Sequence, residues 1–421
     1  MPMTADASRR VLALAAICGV CVSTAPSHAQ SLTVTTCDAA NPFDNLADDA
    51  ALQVCLNNFD VVLLQPDDQP SYVGYLLSDT IRFKKTGGLL TSAKRPRKAT
   101  MLAAPGLTTS MLRSTGIDNF EISYVRFDGN RENRLVRDKP CDANHDFGNV
   151  ELTGTGFHVR GVESNGAVCG SAMTIGGSSG FEIANSMFYD NGRQPEEAHG
   201  IQGLWSDGLT VFGCRNSTIR DNAFWDNTDV DLGVNGGEAC SVYRNTVGHF
   251  QKYAFAGIVA GDPTRSGGEF SDNQVTSGLN LLGFGIIAGC HPWAQCGGGY
   301  AASINVYRNT ITGAVVNLAV DGLNGGSVHD NVMSGARGTR LINCPGPSAD
   351  YVVGHEVNVS PLQTGYVVRS LDAGTPCDPA FSAVPQKNDR TDSTSSPIRP
   401  SDHPSSVPTR REARSTAKSP G

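Results

Sequence analysis

Two aspartates two residues apart, Asp229 and Asp231, close the run Asp226-Asn227-Thr228-Asp229-Val230-Asp231, the densest group of carboxylates in the repeating part of the chain. Along an extended strand such a pair stands ~6.7 Å apart. That separation lets one carboxyl protonate a leaving oxygen while the other activates water, and it lies nearer the inverting than the retaining range of glycoside hydrolysis. Asp207 precedes them by about one period of the repeat described below. Together the three are candidate catalytic groups, or alternatively oxygen ligands for a hard cation such as Ca²⁺. With a cation the chemistry would be proton abstraction and elimination, and Lys252, Arg244 and Tyr253 are the candidate bases or charge neutralisers. Hydrolysis by the carboxylates needs no cofactor.

Other residues could bind a substrate around that centre. His199 and Trp205 flank Asp207 in sequence, and an indole face can stack on the C–H groups of a pyranose ring. His249, Lys252 and Tyr253 follow one period later, and Asn235 shares the strand of Asp231. If Leu232 and Val234 face the core, strand alternation places Asp229, Asp231, Gly233 and Asn235 on the outer face. Asn317 and Asp321 are expected on the same column further along.

The elements that must position these groups are repeated. Phrases with one apolar frame recur at Ile183 to Phe188, Ile219 to Phe224, Val242 to Val247, Phe270 to Val275, Val306 to Ile311 and Val328 to Met333. From the second onward the fourth member is asparagine: Asn222, Asn245, Asn273, Asn309 and Asn331. Short β-rich runs such as Leu209 to Val211 and Leu232 to Val234 precede these phrases and end at Gly213 and Gly236. Nothing between them is long or periodic enough for a helix. A chain that coils round three short strands per turn stacks like on like, so the expected fold is all-β, a right-handed parallel β-helix. The asparagines are expected to stack at one turn, where asparagine tolerates the left-handed conformation and its amide reaches the coils on either side.

In chain order, residues 1–29 carry Arg9 and Arg10, an apolar run from Val11 to Val22, and Ser27-His28-Ala29. This is the pattern of a cleaved signal peptide rather than a membrane anchor, and it predicts a secreted or periplasmic protein. Removing it leaves ten of the 12 cysteines, an even number that favours disulfides; Cys214 with Cys240 and Cys290 with Cys296 are the expected pairs. Residues 30–115 read as an N-terminal cap and first coils, residues 116–350 as the β-helix, residues 351–382 as a closing coil and residues 383–421, rich in Ser, Pro and Thr, as a disordered tail.

Within the cap, Asp48-Asp49-Ala50-Ala51-Leu52-Gln53 starts a short amphipathic helix. The phrase resembles the acidic D-D-x-A-A-x-Q opening of the capping helix in the pectate-lyase-like β-helix superfamily, one residue shorter. That resemblance implies the β-helix and says little about the reaction. Asn227-Thr228-Asp229-Val230-Asp231 resembles the N-T-D-G-x-D phrase of polygalacturonase-type glycoside hydrolases, which implies catalytic roles for Asp229 and Asp231. Val230 stands where that family has glycine, the spacing is one shorter, and only Gly248-His249 resembles its Gly-His-Gly.

Forty-seven glycines, 7% aromatic residues and a formal charge of −8 describe a turn-rich, acidic chain, which argues against nucleic acid as a partner. The expected partner is a polysaccharide lying in a groove walled by the longer loops. Three function classes follow: an enzyme that cleaves a polysaccharide, by hydrolysis or by Ca²⁺-assisted elimination; a noncatalytic polysaccharide-binding or exopolysaccharide-handling β-helix; and a sugar epimerase or fructan-type transferase on the same scaffold.

Overall fold

The computed structural model describes residues 32–92, 97–134, 148–194, 205–261, 267–278, 281–289, 301–314, 316–320, 323–335, 358–360 and 366–368. From Thr33 onward the chain is one compact unit. The expected signal segment and tail, His199, Asp321 and the expected Cys290–Cys296 pair lie outside the described residues.

Every described strand pairs in parallel, within one sheet of 20 strands and one of 10. The chain is a right-handed parallel β-helix, as the ladder of apolar phrases predicts. One full coil runs through three strand directions. In the coil opened by Ser206–Arg220, a bend at Gly213 (φ 82°) divides that long strand into a first and a second run, and Ala223–Trp225 is the third. Leu209 pairs with Leu232 and Ile219 with Val242 on the next coil, while Phe224 pairs with Val247. These residues alternate inward and are fully buried.

Like side chains stack along the axis because successive coils sit one strand spacing apart, ~4.8 Å. Phe83, Phe120, Phe157 and Phe181 form a continuous column with ring centroids 5.0, 4.9 and 5.2 Å apart. The asparagine column is tighter in its bonding. The backbone amide and Nδ2 of Asn222 both donate to Oδ1 of Asn245, at 3.1 and 3.0 Å, and the same two bonds link Asn245 to Asn273, Asn273 to Asn309 and Asn309 to Asn331. Each Nδ2 also donates to a backbone carbonyl of the coil before, as Asn245 does to Ile219 at 3.0 Å.

The left-handed residue is not the asparagine, however. It is the residue before it: Asp221, Arg244, Asp272, Arg308 and Asp330 all have φ between 54° and 57°. The turn is made by that residue so that the asparagine can point into the coil and bond along the axis.

The capping phrase explains itself in the same terms. Helix α1 runs Asp49–Asn58 and buries Leu52, Cys55 and Leu56 against the first coil. Gln53 donates from Nε2 to the Arg82 carbonyl at 3.0 Å and accepts the Arg82 amide at 2.7 Å, so its side chain takes the place of a neighbouring strand. Asp48 accepts the amides of Asn41 and Leu76, at 2.7 and 2.9 Å. An edge that would otherwise offer unpaired backbone groups is thereby satisfied. Disulfides join Cys37 to Cys55 in the cap and Cys214 to Cys240 across adjacent coils, and Cys169 is disulfide-bonded as well. Such bonds persist in oxidising compartments. No helix among the described residues is long and apolar enough to cross a membrane.

Candidate functional site

Strand alternation fails at one place in each of six successive coils, and in one of them that place is Asp231. The first run skips a residue in its pairing. Ser171 and Met173 pair with Asp207 and Leu209; Val230 and Leu232 pair with Ala256 and Ile258, which pair in turn with Phe284 and Ile286. The skipped positions stack as a column: Ala172, Gly208, Asp231, Gly257, Gly285 and Asn317. There the strand bends and the residue turns inward. A Cβ on Gly208 would lie 3.0 Å from the Phe224 ring and 2.5 Å from the Asp231 carbonyl, and one on Gly257 would meet Val247 and Val275 of the core.

Asp231 therefore points into the coil, not onto the outer face that alternation predicts, and it is 0% exposed. Asn317 is buried in the same column, with Nδ2 donating to the Ser334 carbonyl at 3.0 Å. Alternation resumes after the bend. Leu232 and Val234 belong to the core, and Gly233 and Asn235 face outward beside Thr210.

Inside, Asp231 meets His249. Its Oδ2 lies 2.5 Å from His249 Nε2, and its Oδ1 accepts Asn227 Nδ2 at 2.8 Å. His249 Nδ1 is 2.9 Å from the Lys252 carbonyl, which can only accept, so Nδ1 carries a hydrogen. His249 is also 0% exposed. Burial opposes a charge on the imidazole, but the charge and hydrogen bond of Asp231, with smaller contributions from the Lys252 carbonyl and Asp226, outweigh it and raise its pKa above the ordinary histidine value. His249 was read from the sequence as a substrate contact; the structure closes it off from solvent.

Outside, Asp207 is half-buried and well supported. Its Oδ1 accepts the amide of Val230 at 3.1 Å and its Oδ2 accepts the hydroxyl of Thr210 at 2.6 Å; that hydroxyl also contacts Ser171 Oγ at 2.7 Å. The bond to Val230 brings the Asp207 carboxylate against the residue that follows Asp229. Asp229 is 6% exposed, and its carbonyl accepts the amides of Phe255 and Ala256 at 2.7 and 3.3 Å. Thr210 and Ser171 escaped the sequence reading, although Thr210 lies only three residues beyond Asp207. The inward bend at Gly208 restores both to one face.

The remaining candidates lie on turns that lead into first runs, Trp205 before Ser206–Arg220 and Lys252 and Tyr253 before Ala254–Ala260. Lys252 Nζ forms an ion pair with Asp190 Oδ1 at 2.5 Å, and Arg131 Nη1 reaches the same carboxylate at 3.3 Å. Tyr253 is half-buried, and its carbonyl accepts Gln194 Nε2 at 3.4 Å. Trp205 is half-buried, two residues before Asp207. Arg244 is not near: it pairs with Asp221 on the far side of the coil, at 2.8 Å. Asp226 Oδ1 accepts three successive amides, those of Phe250, Gln251 and Lys252, at 2.9, 3.0 and 3.1 Å.

The three carboxylates do not fit a shared cation. Asp207 faces outward and Asp231 inward, where its two oxygens are taken by Asn227 and His249. Among the described residues no group of three or more His, Cys, Asp or Glu side chains is placed to hold a metal ion.

The outer face of the first run changes character along the axis. It is polar at Ser171, Asp207 and Thr210. From Val230 it becomes an apolar cluster separate from the core, made of Val230, Ala256, Val259, Phe284, Ile287, Val316 and Ala319, all buried.

No protein-family model matches the chain, and no curated protein matches it. Among solved structures it is similar to the Dettilon tailspike protein gp208, with 13% identity over 80% of this chain and 68% of that one and a TM-score of 0.50. The likeness is one of fold. The A-module of the Azotobacter vinelandii mannuronan C-5 epimerase AlgE4 aligns at 14% identity over 76% of this chain and 98% of its own, TM-score 0.42. The catalytic domain of a GH87 α-1,3-glucanase in complex with tetrasaccharides aligns at 9% identity over 77% and 67%, TM-score 0.38.

Proposed function

We propose that the protein is a carbohydrate-active enzyme that hydrolyses a polysaccharide at the outer face of its first strand run, with Asp207 and Asp229 as the working carboxylates. The observation that carries this reading is the 3.1 Å bond from the Val230 amide to Asp207 Oδ1, which ties the carboxylate of one coil to the residue after Asp229 on the next. A pair of carboxyls is the minimum equipment for glycoside cleavage, and Asp229 is the carboxyl nearest in sequence to that contact. The two hydrogen bonds received by Asp207 suit an ionised carboxylate that accepts a proton from water, which leaves Asp229 as the acid.

Groups that could hold a sugar surround the pair. Asn235 Nδ2 is buried and has no hydrogen-bond partner among the described residues, so a glycan hydroxyl would satisfy it. Trp205 supplies an aromatic surface at the entry to Ser206–Arg220, and Tyr253 and Lys252 lie on the turn that leads into Ala254–Ala260. Asp231 and His249 act from within the coil and do not touch substrate. Elimination assisted by Ca²⁺ is disfavoured by the opposite facing of Asp207 and Asp231.

The second reading, a noncatalytic polysaccharide-binding protein, draws on one observation: Asp229 is only 6% exposed. The test is to offer the full chain a panel of neutral and uronic-acid polysaccharides, with Ca²⁺ and with EDTA, and to follow reducing ends beside absorbance near 235 nm. New reducing ends without absorbance, lost in Asp229→Asn, support hydrolysis. A rise at 235 nm overturns it in favour of elimination. Retention on a glycan with neither signal favours binding, and a changed sugar configuration without cleavage favours epimerisation.

A further inference from the structure

The buried pair Asp231 and His249 lies beneath a short strap, residues 250–253, that leaves the third strand run and leads into the next first run. The strap has no regular pairing of its own. Besides the bond from Gln194 Nε2 to the Tyr253 carbonyl, these contacts hold it. Asp226 Oδ1, on the coil before, gathers the amides of Phe250, Gln251 and Lys252; Lys252 Nζ reaches Asp190, two coils back; and His249 Nδ1 holds the Lys252 carbonyl from inside at 2.9 Å. Directly after the strap, Phe255 and Ala256 donate their amides to the carbonyl of Asp229. Other chain segments also meet His249: the Gly278 amide donates to its carbonyl at 2.7 Å, and Asp226 Oδ1 stands 3.8 Å from its Nδ1.

We infer that His249, oriented by Asp231, is a positioning residue that fixes the strap 250–253 and through it the backbone of Asp229. The consequence for turnover rests on the hydrolytic reading above; the consequence for the strap does not. The geometry explains why a carboxylate occupies a column filled elsewhere by Ala172, Gly208, Gly257, Gly285 and Asn317. A residue at this corner points into the core, so it must be small or have partners. Asp231 has two, Asn227 and His249, and the second is the ring that grips the strap.

One substitution separates this role from mere filling of space. In Asp231→Asn the new Nδ2 can donate to Nε2 of a neutral imidazole that keeps its Nδ1 hydrogen on the Lys252 carbonyl, and the new Oδ1 can still accept Asn227 Nδ2. Every hydrogen bond survives with the charge removed. In Asp231→Leu, an apolar side chain of like branching but larger volume, none survives.

The test is amide hydrogen exchange on the full chain. In His249→Ala and in Asp231→Leu the amides of Phe250, Gln251, Lys252, Phe255 and Ala256 should exchange about tenfold to a hundredfold faster, the loss expected when a buried partner is removed, while Asn273 and Asn309 on the ladder keep their rates. Asp231→Asn should stay within about threefold of the unaltered protein. Where cleavage is measurable, His249→Ala should lower kcat with KM little changed. Unaltered protection of the strap in His249→Ala, or an Asp231→Asn as damaged as Asp231→Leu, overturns the inference. Should both disruptive variants fail to fold, the unaltered protein decides by ¹⁵N-histidine NMR: a slowly exchanging Nδ1 hydrogen supports the grip, and a bare Nδ1 overturns it. Loss of strap protection in a protein that cleaves no glycan would sink the hydrolytic reading alone.

Discussion

Asp207 Oδ1 accepts the amide of Val230 at 3.1 Å, a contact between adjacent coils that seats a carboxylate on the backbone of the residue after Asp229. Asparagine at position 207 can keep that contact through its Oδ1 while losing the negative charge. Asp207→Asn is therefore expected to melt close to the unaltered protein and to lose glycan cleavage by about 10²- to 10⁴-fold in kcat, the usual contribution of a positioned acid or base. Asp207→Ala should lose both activity and melting temperature. Full turnover in Asp207→Asn would remove this residue from the chemistry.

The ladder of buried asparagines predicts a gradient of stability. Asn245 receives two hydrogen bonds from Asn222 and donates to Asn273 and the Ile219 carbonyl. Asn245→Ala leaves several of those groups buried and unpaired, which is expected to cost about 3 to 5 kcal/mol at 1 to 3 per group. Asn331 closes the described ladder; it receives two bonds from Asn309 and gives one to the Val306 carbonyl. Asn331→Ala should cost less than Asn245→Ala in denaturant titration. Equal and small losses at both positions would mean that the column is held by its apolar neighbours instead.

The fold was legible because its signal is local and repeated. An apolar frame with asparagine in one place records a stack of coils, and Gln53 in the capping phrase records an edge that needs closing. The site was legible only in part. The sequence offers Asp207 and Asp229 as candidate carboxylates, but it places Asp231 on the wrong face because alternation assumes a straight strand. The bend that turns it inward is written in Gly208, Gly257 and Gly285, glycines of neighbouring coils, and becomes readable only once the coils are in register. His249 was noticed for a family likeness; its partner was in view throughout, 18 residues earlier. Which histidine pairs with which carboxylate is a matter of register between coils, and register depends on loop lengths that follow no fixed period.

That bend makes its own prediction. A Cβ at Gly285 would lie 2.4 Å from the Asn317 carbonyl and 2.3 Å from Ile311, whereas one at Gly106 would meet nothing within 4 Å. Gly285→Ala is expected to destabilise by about 1 to 3 kcal/mol through overpacking. Gly106→Ala should be within about 0.5 kcal/mol of neutral, as for most surface changes. Thermal melts of the two variants side by side measure the difference, and an unaffected Gly285→Ala would mean that the coils part easily at the corner.

The outer face of the second run carries a chain of charges whose pH dependence has a definite sign. Asp221 is held below the ordinary aspartate value by its hydrogen bond from Arg244, with Arg220 adding to the effect against a smaller opposing cost of burial. Glu182 pays the larger burial cost, yet Arg160 and Arg220 outweigh it and lower its pKa as well. A carboxylate whose folded pKa is depressed stabilises the protein above its unfolded pKa, near 4, and that stabilisation fades as pH falls through the folded value. Asp221→Asn should therefore melt below the unaltered protein at pH 7, and the gap should close as the pH drops below about 4. The gap should also narrow in high salt, because both partners are partly exposed. A difference in melting temperature that persists unchanged at pH 3 would remove the charge of Asp221 as its cause; the left-handed turn itself contributes none, since Asn and Asp tolerate that conformation alike.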